Sequence, residues 1–150
     1  MYKEPESEIG RKVEQFWNNG NPALINQLFA PNYRHHDPHN PEVHNLETYT
    51  RWLTALRAAF PDLRMQIDDV ITEGNKAVLR WTIRGTHTGE YMGLMPTGQK
   101  MTLSGINVYY VADGKITEAW FNYDSVGMMG QLGGLSVQAQ AWEQTIEYLM

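Results

Sequence analysis

The chain has 150 residues, 42% hydrophobic, 11% aromatic and 19% charged, a length that suits one domain burying roughly two-thirds of the surface its unfolded form exposes. A formal net charge of −5 with no run of Lys or Arg argues against a nucleic-acid partner or an anionic membrane surface, and the lack of cysteine excludes disulfides, thiolate zinc sites and cysteine nucleophiles. The opening MYKEPESEIGRKVEQFW has Glu, Ser and Lys where a signal peptide needs an apolar run, and no later stretch approaches the ~20 apolar residues of a membrane span, so a cytoplasmic protein is expected.

Three helical segments come first. Ile9, Val13, Phe16 and Trp17 recur at helical spacing behind Ser7, a cap residue. Asn21-Pro22 then sets a cap before a proline at the first helical position, with Leu24, Ile25, Leu28 and Phe29 as the apolar face. The His-, Pro- and Asn-rich stretch that follows reads as irregular. A third helix spans about Leu46 to Phe60, with Leu46, Tyr49, Leu53, Leu56 and Phe60 along one side, and Pro61 stops it.

From Leu63 the period changes to two. Leu63, Met65, Ile67 and Ile71 alternate with Arg64, Gln66, Asp68 and Val70; after Glu73-Gly74-Asn75 a second strand carries Ala77, Leu79, Trp81 and Ile83 on its apolar face. A three-residue loop between them matches the two faces, setting Ile71 opposite Ala77, Ile67 opposite Trp81 and Met65 opposite Ile83. A Gly-, Pro- and Thr-rich connection from about Thr88 to Gly98 leads to a hairpin of Met101 to Ala112 and Lys115 to Asp124 around Asp113-Gly114, a strong turn signal. A two-residue turn there sets Tyr109 opposite Glu118, Asn107 opposite Trp120, Gly105 opposite Asn122 and Leu103 opposite Asp124. Opposed residues share a sheet face, so Asn107, Trp120, Asn122 and Asp124 are expected together. Ile106, Val108, Tyr110, Phe121 and Tyr123 then form an apolar patch on the other face, which predicts a homodimer. Ser125 to Leu132 reads as a short helix ended by Gly133-Gly134, and Val137 to Met150 as a last amphipathic helix or ordered tail. Helices followed by an antiparallel sheet, with no repeat or linker, make one α+β domain over residues 1–150.

The succession Phe60-Pro61-Asp62-Leu63, Gly85-Thr86-His87-Thr88-Gly89, Pro96-Thr97-Gly98, Asp113-Gly114-Lys115-Ile116 and Asp124 with Gln131-Leu132-Gly133 resembles the SnoaL-like polyketide cyclase (ester cyclase) family, within the nuclear transport factor two-like superfamily. The resemblance runs from the first helix to about Gly133 and leaves 134–150 as a C-terminal extension. It implies a cone-shaped, half-open barrel with a pocket between curved sheet and helices, commonly in a dimer. It also implies ring closure by intramolecular aldol condensation without metal or cofactor, using the Asp just before the Gln-Leu-Gly helix, here Asp124. The family's Tyr-x-x-His-x-Pro context matches His36 within Tyr33-Arg34-His35-His36-Asp37-Pro38. Isomerases, hydrolases, dehydratases and non-catalytic binding proteins share the fold, so fold alone leaves the reaction open.

Asp124 is accordingly the first candidate: a carboxylate in apolar surroundings, beside Trp120 and Asn122, is a better base toward a carbon acid. The competing reading is a helix N-cap ahead of Ser125. His87 shares the face of Trp81 and Ile83 and is either a donor to a substrate carbonyl or a member of a strand-end network. Alternation groups His35 with Tyr33, whereas the resemblance selects His36. Asn107, Trp120, Asn122 and His35 are the expected substrate contacts, and Trp17, Trp52 and Trp81 are expected as core. Asp69, on the face of Ile67 and Ile71, is a lesser carboxylate candidate. His35, His36, Asp37, His39 and His44 invite a metal reading, yet their spacing follows no closed-site pattern, and neither metal nor cofactor is expected. The expected function is acid–base chemistry on a small apolar carbonyl compound by Asp124, with His36 and His87 as catalytic partners; the alternative is a binding protein that uses the same pocket without turnover.

Overall fold

The computed structural model describes residues 7–133 and 146–149. Helix α1 (Glu8–Asn19) starts on Ser7, whose side chain accepts from the Gly10 N–H, and stops at Gly20 in the left-handed region. A 3₁₀ turn (Pro22–Leu24) capped by Asn21 runs into the single-turn α2 (Ile25–Leu28). Helix α3 (Leu46–Ala59) opens with a capping box between Asn45 and Thr48, which satisfies orphan donors at its start. The sheet has five strands, β1 (Phe29–His36), β2 (Arg64–Glu73), β3 (Lys76–Thr86), β4 (Lys100–Ala112) and β5 (Lys115–Tyr123), in the order β1-β5-β4-β3-β2. A short helix, α4 (Ser125–Gln131), closes the described domain. The architecture is therefore the expected α+β one, with a sheet open at both edges. Residues 146–149 are helical, and the rest of the expected 137–150 helix lies outside the described residues.

Strand β1 corrects the reading of its stretch as irregular. It lies parallel to β5 at the sheet edge, with a register shift between Phe29 and Arg34 around Pro31. An edge strand tolerates a proline because one of its sides needs no ladder donor. The opposite edge, β2, is covered by α1: the Asn18 amide pairs with both the N–H and the carbonyl of Met65 (2.7 and 2.9 Å), and Glu14 accepts from the Ile67 N–H at 2.9 Å. Side chains of the helix thus stand in for a missing strand. Glutamine 131 does the same for α4, taking the Thr102 N–H at 2.6 Å and donating to its carbonyl at 2.8 Å.

Two single-residue bulges decide which side chains face the helices. In β2 the shift falls between Ile67 and Asp69. Met65 pairs with Ile83 and Ile67 with Trp81, as the three-residue loop required, but the turn is the two-residue Gly74-Asn75, with Glu73 opposite Lys76 and Thr72 opposite Ala77. The surplus Asp68 absorbs the difference, and Asp69 and Ile71 become exposed. The lesser carboxylate candidate is therefore on the surface.

The second bulge lies at Thr117. Ala112 faces Lys115 and Val111 faces Ile116 as expected, after which the register moves by one: Tyr110 opposite Glu118, Asn107 opposite Phe121, Ile106 opposite Asn122 and Gly105 opposite Tyr123. Period-two alternation turns that slip into a change of face. Tyr109, Phe121 and Asn107 are buried under the helices, whereas Trp120 is half-buried and Asn122 exposed on the outer face. The expected grouping of Asn107 with Trp120 and Asn122 is thereby corrected, and the outer apolar patch loses Phe121 and Tyr123 while gaining Trp120. There Trp120 packs against His36 and Tyr110, each with ring centroids 4.8 Å away.

Gly105 lies between Trp81 of β3 and Tyr123 of β5. A Cβ at this position would collide with the Trp81 ring and come within 2.7 Å of the Asn122 carbonyl. Gly105→Ala is expected to destabilise the fold by about 1–3 kcal/mol, as overpacking does, whereas Ser104→Ala on the exposed side should stay within about 0.5 kcal/mol of wild type. Urea denaturation of both variants checks the contrast.

Candidate functional site

The concave face of the sheet and the helices enclose one predominantly apolar cavity. Trp17 of α1, Trp52 and Leu56 of α3, Trp81, Leu103, Phe121 and Tyr123 of the sheet, Tyr91 of the β3–β4 connection and Met128 of α4 form its walls. The free space is about 20 Å³, room for little more than one water. The indole nitrogens of Trp17 and Trp81 are buried without a hydrogen-bond partner.

At the Tyr123 end the wall becomes polar. The Tyr123 hydroxyl donates to Asp37 Oδ2 at 2.9 Å and accepts from Asn40 Nδ2 at 2.8 Å. Asn40 Nδ2 also reaches Asp37 Oδ2 at 3.0 Å, and the His39 N–H donates to Asp37 Oδ1 at 2.9 Å. Burial first, and the Asp37 charge second, push the Tyr123 phenol well above its ordinary pKa. Asp37 is 5% exposed and Asn40 1%, so this carboxylate sits inside the protein with three donors on its two oxygens. The segment builds the site locally: Asp37-Pro38-His39 closes an Asx turn, a conformation that Asp before Pro favours.

Asp124 occupies the surface beside this network. It caps α4, with Oδ1 accepting from the Gly127 N–H at 2.9 Å, and its side chain is exposed. The apolar surroundings expected for it belong instead to its neighbours Tyr123 and Met128, both of which line the cavity. The Ser125 hydroxyl meets His39 Nδ1 at 3.2 Å on the same rim.

The histidines separate. His35 points inward, as alternation indicated: it is 4% exposed, shares a 2.6 Å hydrogen bond with the Tyr33 hydroxyl and stacks on Tyr49. Burial lowers its pKa to about 4 against the opposing pull of Asp37, so it is neutral at pH 7. His36, which the resemblance selected for the pocket, lies on the outer face, stacked on Trp120 and 2.6 Å from Glu118; its parallel pairing with Trp120 on β5 puts it there. His87 is fully buried, but it stacks on Phe60 and bonds through Nδ1 to Thr97 (3.0 Å to the hydroxyl), serving the connection after β3. Asn107 is buried deeper in the sheet, donating to the Tyr109 hydroxyl at 2.9 Å. Among the described residues no group of three or more metal-ligating side chains converges. Of the expected residues, Asp124 is exposed next in the chain to the wall residue Tyr123, while Trp120, Asn122 and His36 lie away from the cavity on the outer face. The sequence reading missed the Asp37–Asn40–Tyr123 network because Asp37 drew notice only as a metal ligand; the Asp-Pro turn signal was the available clue.

A family described as SnoaL-like polyketide cyclase matches residues 7–132. The aklanonic acid methyl ester cyclase DauD of Streptomyces sp. (strain C5) is 24% identical over 142 residues, 92% of this chain and 88% of that protein. The aklanonic acid methyl ester cyclase DnrD of Streptomyces peucetius is 27% identical over 106 residues, covering 69% and 72% of the two chains. Among solved structures, TsrD of Streptomyces laurentii superposes with a TM-score of 0.77 at 27% identity, covering 85% of this chain and 94% of its own.

The buried imidazole has a consequence for stability. Unfolded His35 takes up a proton near its ordinary pKa of 6.5, folded His35 only near 4, so between those values the unfolded chain binds more protons and stability falls as pH drops. The loss is on the order of 3 kcal/mol by pH 4. Urea midpoints across that window should show it in the wild type, and His35→Gln should flatten the part of the slope above pH 5, where few carboxylates titrate.

Proposed function

The chain belongs to the SnoaL-like polyketide cyclase family, and on that footing we propose that it closes a ring in, or otherwise rearranges, a small apolar carbonyl compound by acid–base chemistry at the Tyr123 end of its cavity, without metal or cofactor. The observation that carries this reading is the meeting of an apolar chamber with two carboxylates in contrasting settings. Asp37 has its oxygens occupied by His39, Asn40 and Tyr123; a carboxylate so engaged holds its neighbours in place and has little left for a substrate proton. Asp124 keeps one oxygen clear of its capping bond and is the general base, then acid. A ligand seated in the cavity would cover it and supply the desolvation that the empty rim lacks. Tyr123, held by Asp37 and Asn40, forms the polar end of the chamber against which the substrate rests. The ester cyclases among the relatives support ring closure on a carbonyl substrate. The exposure of Asp124 and its cap bond favour the second reading, a binding protein without turnover.

Asparagine preserves the cap, so Asp124→Asn should alter stability by no more than about 1 kcal/mol. It cannot accept the proton, so turnover should fall by about 10² to 10⁴ while the ligand still binds. Unchanged turnover in the folded variant removes Asp124 from the mechanism, and a wild type that binds carbonyl compounds without converting any of them makes the binding-protein reading the better one.

The assembly is also a proposal: a homodimer through the outer face, where Ile106 is 48% exposed beside Val108, Tyr110 and Trp120. Light scattering at micromolar concentration should give twice the 17.2 kDa chain mass, and Trp120→Lys should halve it. A stable wild-type monomer would refute the dimer.

A further inference from the structure

Eleven of the twelve side chains around the cavity belong to helices, strands or the turn entering β2; the twelfth, Tyr91, stands on the connection between β3 and β4. We propose that Tyr91 is a removable plug that sets which ligands the cavity admits, carried by a connection whose ends are fixed and whose middle is free to swing. The proposal rests on the cavity being the ligand site, as in the reading above, but not on turnover.

The first argument is volume. About 20 Å³ holds a water and no carbon ring, so a ring-sized ligand enters only if a wall residue yields. Ten of the walls lie in helices or paired strands, whose displacement breaks hydrogen-bond ladders, and Leu63 is bonded in place through its N–H to the Phe60 carbonyl. Tyr91 is held by no such ladder; only its hydroxyl, which meets the Trp52 side chain, ties it to a helix. Its ring is buried, 8% exposed, against the edge of Phe60 at 5.7 Å, yet its backbone bonds only to Leu94 within the same connection.

The second argument is how the connection is fastened. At its start the Thr88 and Gly89 N–H groups both donate to the Ala59 carbonyl at the end of α3, and Gly89 lies so close to the Ala58 carbonyl that no Cβ fits. At its end His87 acts as a pin: its N–H donates to Gln99, its carbonyl accepts from Gly98, and its Nδ1 accepts from the Thr97 N–H at 3.3 Å. Between these anchors, residues 90–96 form no backbone hydrogen bond to any other described element. They close on themselves through the reciprocal Tyr91–Leu94 pair around Met92-Gly93. That turn holds Met92 at φ 49°, the left-handed region that a non-glycine residue occupies at a cost. Met92 and Met95 are each 67% exposed, an apolar, adaptable tip. A turn that is strained, self-contained and hinged at both ends can carry Tyr91 outward without disturbing the sheet.

The test uses the full chain and 1-indanone, an apolar bicyclic ketone, titrated by calorimetry and by quenching of the cavity tryptophans. Tyr91→Ala empties the plug's place, and an apolar cavity so opened takes up aromatic compounds; it should bind 1-indanone at least ten-fold more tightly than wild type. Tyr91→Phe keeps the ring that fills the space, losing only the hydroxyl's bond to Trp52, and should stay nearer to wild type than Tyr91→Ala does. In wild-type protein, saturation with 1-indanone should speed hydrogen exchange at the Tyr91 and Leu94 amides and leave those of His87, Thr88, Gly89 and Gly98 unchanged. A folded Tyr91→Ala that binds no more tightly than wild type overturns the plug. So does wild-type binding with the 91 and 94 amides undisturbed, a measurement that stands even if Tyr91→Ala fails to fold. Absence of binding to every form likewise counts against it, while leaving the cyclase reading to its own turnover test.

Discussion

One surplus residue in β5 governs the interior of this protein. Thr117 has no partner on β4 and turns its hydroxyl back to the Tyr110 carbonyl; beyond it every side chain of β5 faces the side opposite to the one a regular two-residue hairpin would give it. Phe121 and Tyr123 therefore reach the cavity, Trp120 goes to the outer face, and Asp124 follows Tyr123 as the exposed cap of α4. Without the bulge, Asn122 would turn inward beneath the helices, where an amide without partners costs stability, and the aromatic wall of the cavity would lie in solvent. Bulges are common where a sheet must bend and re-aim a side chain, and this one does both next to the candidate site.

The interior that results is aromatic, with its polar groups placed at one end. Tyr33, Tyr49, Phe121 and His35 stack and tilt against one another with centroids 4.5–5.9 Å apart, and burial among them, by desolvation, favours the neutral imidazole of His35 over the charged one. Asp37 lies beside these rings, surrounded by donors from its own turn and from Tyr123. The arrangement concentrates electrostatics where β1, β5 and the turn after β1 converge, and it leaves the remainder of the chamber apolar. A ligand meeting this surface would be oriented by a single polar wall, the usual design of a small-molecule pocket.

Side-chain bonds from the helices to strand backbone explain how so small a domain keeps a hollow. The helices contribute side-chain hydrogen bonds as well as apolar faces: Asn18 and Glu14 complete β2, and Gln131 completes the edge of β4 that carries Thr102. Because the helices are tied to backbone, their apolar side chains need not close completely over the sheet for the layers to stay together.

Sequence by itself determined the elements whose signals are local. Ser7 and Asn21 cap where cap residues stand, Pro61 ends α3, and the Asp113-Gly114 turn pairs Ala112 with Lys115. The ordered motifs from Phe60 to Gly133 placed the chain in its family, whereas the choice of His36 over His35 for the pocket failed, since His35 is the buried one of the two. Tertiary structure alone decided everything downstream of a bulge: the face taken by Trp120 and Asn122, the exposure of Asp69, the meeting of Asp37 with Tyr123. Strand β1 belongs to the same class, since its ladder comes from β5, more than eighty residues away. A bulge adds one residue without altering hydrophobic composition, and its position follows from how the sheet bends over the helices, a constraint that is written in no local window of the chain.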